Sequence, residues 1–384
     1  MLHRHRVRNP LWPVALLAPL MALSACRDVP PSRSGGPPRQ YAFVTNGASS
    51  TVSAVELATF RIAGTMVVGE DPTGIAANPV HNEVYAVNTG SGTVSIINAE
   101  TLQAERTVAV GRTPYSIAVS PDGRAGFVAN AGSDSVSVLD LEARSVRKTI
   151  PVGRSPGSLQ VAPDGKTLVV SNRNSDSVSI IDLATMTVVA EVRVGSRPGP
   201  VAILPDSSQA FVANAGSATV SAVDLRSRRL LAHLETGTTP AALALKPDGG
   251  ELFVTHFDSD SVSIINTYAD EVAESLSAGR NPSQAVVDAS GGLLFFTNFG
   301  SDTVSIVDIN SRRILASLAV GSGPDALAIT PDGLYLLVVN SRSNDLAVVD
   351  IARRSLVTMT PLGRQPRAIA IKAVRPAPDR RPGS

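Results

Sequence analysis

Asp325, His256 and Asn281 are the side chains whose types could serve a hydrolytic reaction, with His256 able to act as a ligand or an acid/base beside Asp258. A second chemistry is offered by Arg112, Arg154, Arg197, Arg280 and Arg364, with Arg173, Arg342 and Arg367 nearby. Guanidinium groups gathered in this way suit a carboxylate, a phosphate or an anionic polymer. Asp134, Asp176, Asp258, Asp260, Asp302 and Asp325 fall in the same stretches and offset much of that charge. Aromatic residues for stacking single strands are limited there to Tyr115, Phe257 and Phe299, so nucleic acid is not an expected partner. Other chemistries lack their residues. No Gly-x-Ser-x-Gly elbow occurs, and Pro163-Asp164-Gly165-Lys166-Thr167 lacks the upstream glycine of a phosphate loop, the position being Gln160. Past the leader, the only histidines are His81, His233 and His256, too dispersed for a metal site or haem ligation. No cofactor is implied.

The N-terminus has its own logic. Residues 1–25 carry Arg4, Arg6 and Arg8 with no acid, then an apolar run over 11–23 that Pro13 and Pro19 interrupt, then Leu23-Ser24-Ala25-Cys26. A basic segment, a short apolar core and small residues before a cleavage point make an export signal. Leu-Ser-Ala-Cys resembles the lipobox of bacterial lipoproteins, which implies a lipid on Cys26. Cys26 is the only cysteine, so no internal disulfide can form. Loss of residues 1–25 leaves 31 basic against 33 acidic residues, near −2, and removes the only tryptophan. Arg27 stands where an inner-membrane retention signal would carry Asp, which favours the outer membrane in a two-membrane host. Residues 27–39, rich in Pro, Gly and Ser, read as a tether that completes a 26–40 linker; residues 373–384 read as a disordered tail.

The elements that must position the candidate residues follow from a repeat. Gly-x-x-Pro begins at Gly69, Gly111, Gly153, Gly195, Gly237, Gly279, Gly321 and Gly363, every interval being 42 residues. Asn46, Asn88, Asn130, Asn172, Asn214, His256, Asn298 and Asn340 keep the same spacing. His256 breaks that series, and its plainer reading is a substitute for the Asn hydrogen bond. Within one unit, Tyr115 to Ser120, Ala125 to Asn130, Ser135 to Asp140 and Val146 to Val152 are four short apolar or alternating runs separated by turn residues such as Pro121-Asp122-Gly123. Four antiparallel strands per unit of this length describe a propeller blade.

The expected fold is all-β, one propeller over 41–372. The chain enters inside a unit: Tyr41 to Val68 supplies strands two to four, seven full units follow, and Arg367 to Lys372 supplies a last first strand. Three strands plus one complete an eighth blade; the alternative of seven blades leaves four strands unpaired. One larger side chain per blade (Phe43, Tyr85, Phe127, Phe211, Phe253, Phe295, with Val169 and Leu337 in the others) should fill the gap between blades. The residue after each Gly-x-x-Pro proline starts an inner strand and should rim the central channel. These are Thr73, Tyr115, Gly157, Gly199, Ala241, Ser283, Asp325 and Arg367, which vary while the scaffold repeats. The expected ligand rim is therefore Arg112, Tyr115, Arg154, Arg197, His256, Arg280, Asp325, Arg364 and Arg367.

The runs Tyr41-Ala42-Phe43-Val44-Thr45-Asn46, Leu252 to His256 and Leu294 to Asn298 resemble the motif of the YVTN β-propeller repeat family, as do Val178 to Asp182 and Ser120 to Gly123, which recur with small changes. The resemblance covers about residues 41–372 and implies a bacterial or archaeal surface or periplasmic protein. That family is usually seven-bladed, so eight units depart from it. The lack of tryptophan in the mature chain separates it from WD40 and quinoprotein propellers. The expected role is a membrane-anchored, monomeric binding or scaffold module, with an envelope protein, glycan or small molecule as partner. Resemblance to lactonase propellers offers the alternative of a hydrolase at the channel mouth, and the arginines offer that of an anion binder.

Overall fold

The computed structural model describes residues 38–374; the leader, Cys26, most of the tether and nearly all of the tail lie outside them. The described residues form thirty-two strands in eight four-stranded antiparallel sheets, with one short 3-10 turn at Gly47–Ser49. Each sheet is one blade. Blade 1 takes strands from both ends of the chain: Pro366–Ala373 is its inner strand, followed outward by Gln40–Asn46, Thr51–Glu56 and Arg61–Val67. The register Gln40↔Ala373, Phe43↔Ala370 and Asn46↔Pro366 closes the ring as the phase of the repeat predicts. Blades 2 to 8 follow in chain order, their inner strands starting at Pro72, Pro114, Pro156, Pro198, Pro240, Pro282 and Pro324.

Burial explains the composition. The third strand of blade 3, Ser135–Asp140, is buried on both faces except at its last residue, whereas the outermost strand, Ser145–Pro151, is mostly exposed. A sheet covered on both sides by neighbours needs small and β-branched side chains, which Ser and Val supply. The rings of Phe43, Tyr85, Phe127, Phe211, Phe253 and Phe295 are fully buried, as are Val169 and Leu337. The apolar clusters run between blades. Phe127 and Ala129 of blade 3 pack with Leu168 and Val170 of blade 4, and Ala42 and Val44 of blade 1 pack with Leu337 and Val339 of blade 8.

The two sequence registers meet in one lock. In six blades the Asn side chain at the end of the second strand donates to a serine seven residues on, as in Asn46 Nδ2 to Ser53 Oγ and Asn298 Nδ2 to Ser305 Oγ, both 2.9 Å. The Gly-x-x-Pro glycine lies against that Asn: a Cβ on Gly69 would come within 2.7 Å of Asn88, and one on Gly279 within 2.7 Å of Asn298. Glycine is required there by close approach. Aspartates at the ends of the third strands secure the turns that follow. Asp140 Oδ1 accepts from the N–H groups of Glu142 and Ala143, at 3.1 and 2.8 Å.

A second link, not expected from the sequence, pins neighbouring blades. At five junctions a residue in the strand 3–4 turn reaches the start of the second strand of the preceding blade, and its chemistry changes around the ring. Arg144 Nη2 lies 2.7 Å from both Glu83 Oε1 and Glu105 Oε2. Arg312 pairs with Glu251. Gln209 Nε2 donates to Asp270 Oδ1 at 2.7 Å. Met186 packs beside Ala125. At the closing junction Phe60 meets Tyr335 edge-on, with centroids 4.9 Å apart.

Candidate functional site

Antiparallel order places the Gly-x-x-Pro loops and the turns after the Asn positions on one face, the first face. The described residues begin and end on the other, where Val374 N–H donates to Arg39 O at 2.8 Å. The inner strands begin at the first face and line the central channel. Each Pro is preceded by a residue of positive φ, such as Asp71 (48°), Arg197 (52°) and Asn281 (51°), which turns the chain from one blade into the next. The turn aspartates secure this geometry. Asp134 Oδ1 accepts from Ser155 N–H at 2.8 Å, Asp176 Oδ1 from Arg197 N–H at 2.9 Å and Asp260 Oδ1 from Asn281 N–H at 2.8 Å. These carboxylates are committed to the backbone.

At the mouth is a cavity of about 400 Å³ lined by inner-strand residues of five blades, among them Thr73, Tyr115, Gln284, Asp325 and Arg367. Arg367 Nη2 lies 3.1 Å from Asp71 Oδ1. Gly47 makes room for it, since a Cβ there would come within 2.8 Å of Arg367 Nε. Thr73 Oγ1 is 2.7 Å from Thr89 Oγ1 and donates to Tyr115 O at 3.0 Å. Asp325 is half-buried; burial raises its carboxyl above the usual carboxylate range, and the charge of Arg367 acts in the opposite direction.

Of the nine residues expected on the rim, Tyr115, Asp325 and Arg367 line this cavity. Arg112, Arg154, Arg197, Arg280 and Arg364 are exposed on the surrounding loops, and none forms an ion pair among the described residues. Arg364 Nη2 donates to Ala48 O at 3.2 Å. Arg342 instead stacks over Phe299 at 4.3 Å from the ring centroid, with Phe257 6.1 Å from Phe299 on the next blade.

His256 is not on the open rim. It is fully buried, with Nε2 2.9 Å from Ser263 Oγ and accepting from Gly237 N–H at 3.3 Å. This is the Asn–Ser lock of the other blades made with an imidazole, and burial pushes its pKa down to about 4. Asn281 spends its amide on Phe257 O at 2.8 Å. The hydrolytic set of Asp325, His256 and Asn281 is thus not assembled around one point. His81 borders a separate pocket on the second face, and His233 Nδ1 lies 3.0 Å from Ser221 Oγ, so no histidine lines the mouth among the described residues.

What sequence reasoning missed at the mouth are Gln284, one residue beyond the expected position, and the Asp71 partner of Arg367. The 42-residue phase could have flagged Asp71, because it precedes a Pro where other units carry Thr, Ser, Arg, Asn, Gly or Gln.

With this geometry in place, the comparison with known families is decisive for kinship: the description "YNCE-like beta-propeller" matches residues 73–377. The chain belongs to the YNCE-like β-propeller family. Among solved structures, it is similar to Kuenenia stuttgartiensis hydrazine synthase at 26% identity, with a TM-score of 0.62, covering 74% of this chain and 97% of that one. It is similar to dihydro-heme d1 dehydrogenase NirN in complex with DHE at 17% identity, with a TM-score of 0.74, covering 87% of this chain and 75% of that one. A functionally unknown protein from Desulfotomaculum acetoxidans DSM 771 matches at 15% identity and a TM-score of 0.62, covering 87% and 99%. The two similarities below 25% identity show the fold alone. No curated protein matches the chain.

Proposed function

We propose that this YNCE-like propeller is an exported, lipid-anchored envelope protein of the YVTN type that binds a small ligand or partner at the first-face mouth of its channel. One observation carries the binding reading. At eight structurally equivalent inner-strand positions, the four consecutive blades 8, 1, 2 and 3 carry Asp325, Arg367, Thr73 and Tyr115, and these four non-repeating polar side chains line one cavity. A ring held together by repeated Asn, Gly, Ser and Val has no structural use for that variety, whereas a rigid scaffold with variable residues at one end suits recognition. The described residues begin and end on the opposite face. The anchoring reading is supported by Leu23-Ser24-Ala25-Cys26 behind a basic and apolar leader.

The test is capture from envelope extracts with the full chain, run in parallel with a variant in which Asp325→Ala and Arg367→Ala empty the mouth. A protein, glycan or small molecule retained by the first and lost by the second supports the reading. Equal recovery by both refutes it. Labelling with a radioactive fatty acid, lost in Cys26→Ser, tests the anchor separately.

A further inference from the structure

We propose that the mouth takes a small amphipathic organic cation, its ammonium on the carboxylate of Asp325 and its apolar ring on the channel wall below. This rests on the mouth being a binding site, as read above, and adds the chemical class of the ligand.

Charge comes first. Asp325 and Arg367 are the two charged residues that line the cavity, and the guanidinium is already engaged by Asp71, outside the lining, at 3.1 Å. With Arg367 turned to Asp71, the carboxylate of Asp325 is the charge of the lining left without a partner. An anion would face the Asp325 carboxylate and compete with Asp71 for Arg367. Asp325 forms no hydrogen bond with another described residue, and it is half-buried. A carboxylate so placed gains most from a charged donor, which makes roughly twice as strong a hydrogen bond as a neutral one. Tyr115, 56% exposed on the same cavity, offers an aromatic face of the kind that attracts ammonium groups. The five unpaired arginines of the loops are not among the cavity's lining residues.

Shape comes second. Ala326, Leu327, Ala368 and Ile369 supply an apolar wall to the cavity. Across an eight-fold ring, blade 4 faces blade 8 and blade 5 faces blade 1, so Gly157 faces Asp325 and Gly199 faces Arg367. A Cβ on Gly157 would meet nothing within 4 Å, and one on Gly199 only Ala213 O at 3.9 Å. Neither glycine has positive φ. Packing and backbone conformation thus do not call for glycine at either site, unlike the Gly-x-x-Pro glycines. The register skip beside them does not call for it either, because blade 7 makes the same skip with Ser283 and Gln284. Glycine inside a strand costs stability and marks close approach by another group. Here it leaves open room opposite the two charged side chains.

The experiment titrates the full chain, in detergent, with phenethylammonium, phenethyl alcohol and phenylacetate by calorimetry. The expected result is that phenethylammonium binds most tightly, that Asp325→Asn weakens it at least tenfold, and that Gly157→Val weakens it while leaving the melting temperature unchanged. Tighter binding of phenylacetate or of the alcohol overturns the cation while leaving the mouth a binding site. Undiminished phenethylammonium binding by Asp325→Asn overturns the placement. Absence of binding by all three probes overturns the proposal, and capture from envelope extracts then decides the wider reading by itself.

Discussion

Replacing His256 by Asn should leave the protein as stable as the wild type at neutral pH and more stable in mild acid. In the wild type, the imidazole is fully buried and its pKa is pushed from the usual 6.5 to about 4. A folded-state pKa below the unfolded one means that acid drives protons onto the unfolded chain first. Stability is therefore intact above about pH 6.5 and falls as the pH drops toward 4. At pH 4.5 the loss from this one group amounts to about 2–3 kcal/mol, at about 1.4 kcal/mol for each unit of displaced pKa. Asn at the position restores the hydrogen bond to Ser263 that its counterparts make, for example Asn214 Nδ2 to Ser221 Oγ at 2.9 Å, and it cannot titrate. The assay is urea unfolding of both proteins at pH 7.5 and 4.5, followed by circular dichroism. Carboxylates titrate in both proteins and cancel in the difference. The reasoning fails if the wild type loses no more stability between the two pH values than His256→Asn does.

The two classes of glycine should separate in thermal melts. Gly69→Ala forces a Cβ to within 2.7 Å of Asn88 and should cost about 1–3 kcal/mol, whereas Gly157→Ala meets open space and should be neutral or gain about 0.5 kcal/mol. Arg144→Met leaves Glu83, whose side chain is 15% exposed, with the Tyr85 hydroxyl at 2.6 Å but no cation and should cost about 1–2 kcal/mol; adding Glu83→Ala and Tyr85→Phe copies the Ala125, Phe127 and Met186 set and should recover most of it in chemical denaturation. Deleting residues 366–374 removes the inner strand of blade 1 and opens an edge along Gln40–Asn46. The product should aggregate or lose amide-exchange protection in blades 1 and 8, and a monomer with an unchanged melting curve would contradict closure by that strand.

The blade and the closure were legible in the sequence, because both are written in residues close along the chain. Alternating Ser and Val in Ser135–Asp140 fixes a strand, Pro121-Asp122-Gly123 fixes a turn, and the phase of the repeat at Tyr41 and Arg367 fixes which blade is shared. The Asn series even indicated that His256 stands in for an amide. The mouth was legible in part. Its register position came from the Pro of each unit, which identified Tyr115, Asp325 and Arg367, while the arginines of the loops offered an anion binder only as an alternative. In the structure, five of those arginines are on the loops around the mouth and do not line the cavity, whose Asp325 carboxylate is left without a partner.

By itself, then, the sequence determined the repeat, the strands and the way the ends join, since each depends on local alternation and on a constant period. Only the tertiary structure decided that Arg367 turns to Asp71, that Asp325 is left without a donor, and that Arg144 reaches Glu83 across a blade boundary. These are encounters between blades. They depend on the curvature of the ring, which brings together side chains 61 or nearly 300 residues apart and sets how deeply each is buried, and no local pattern in the chain encodes that.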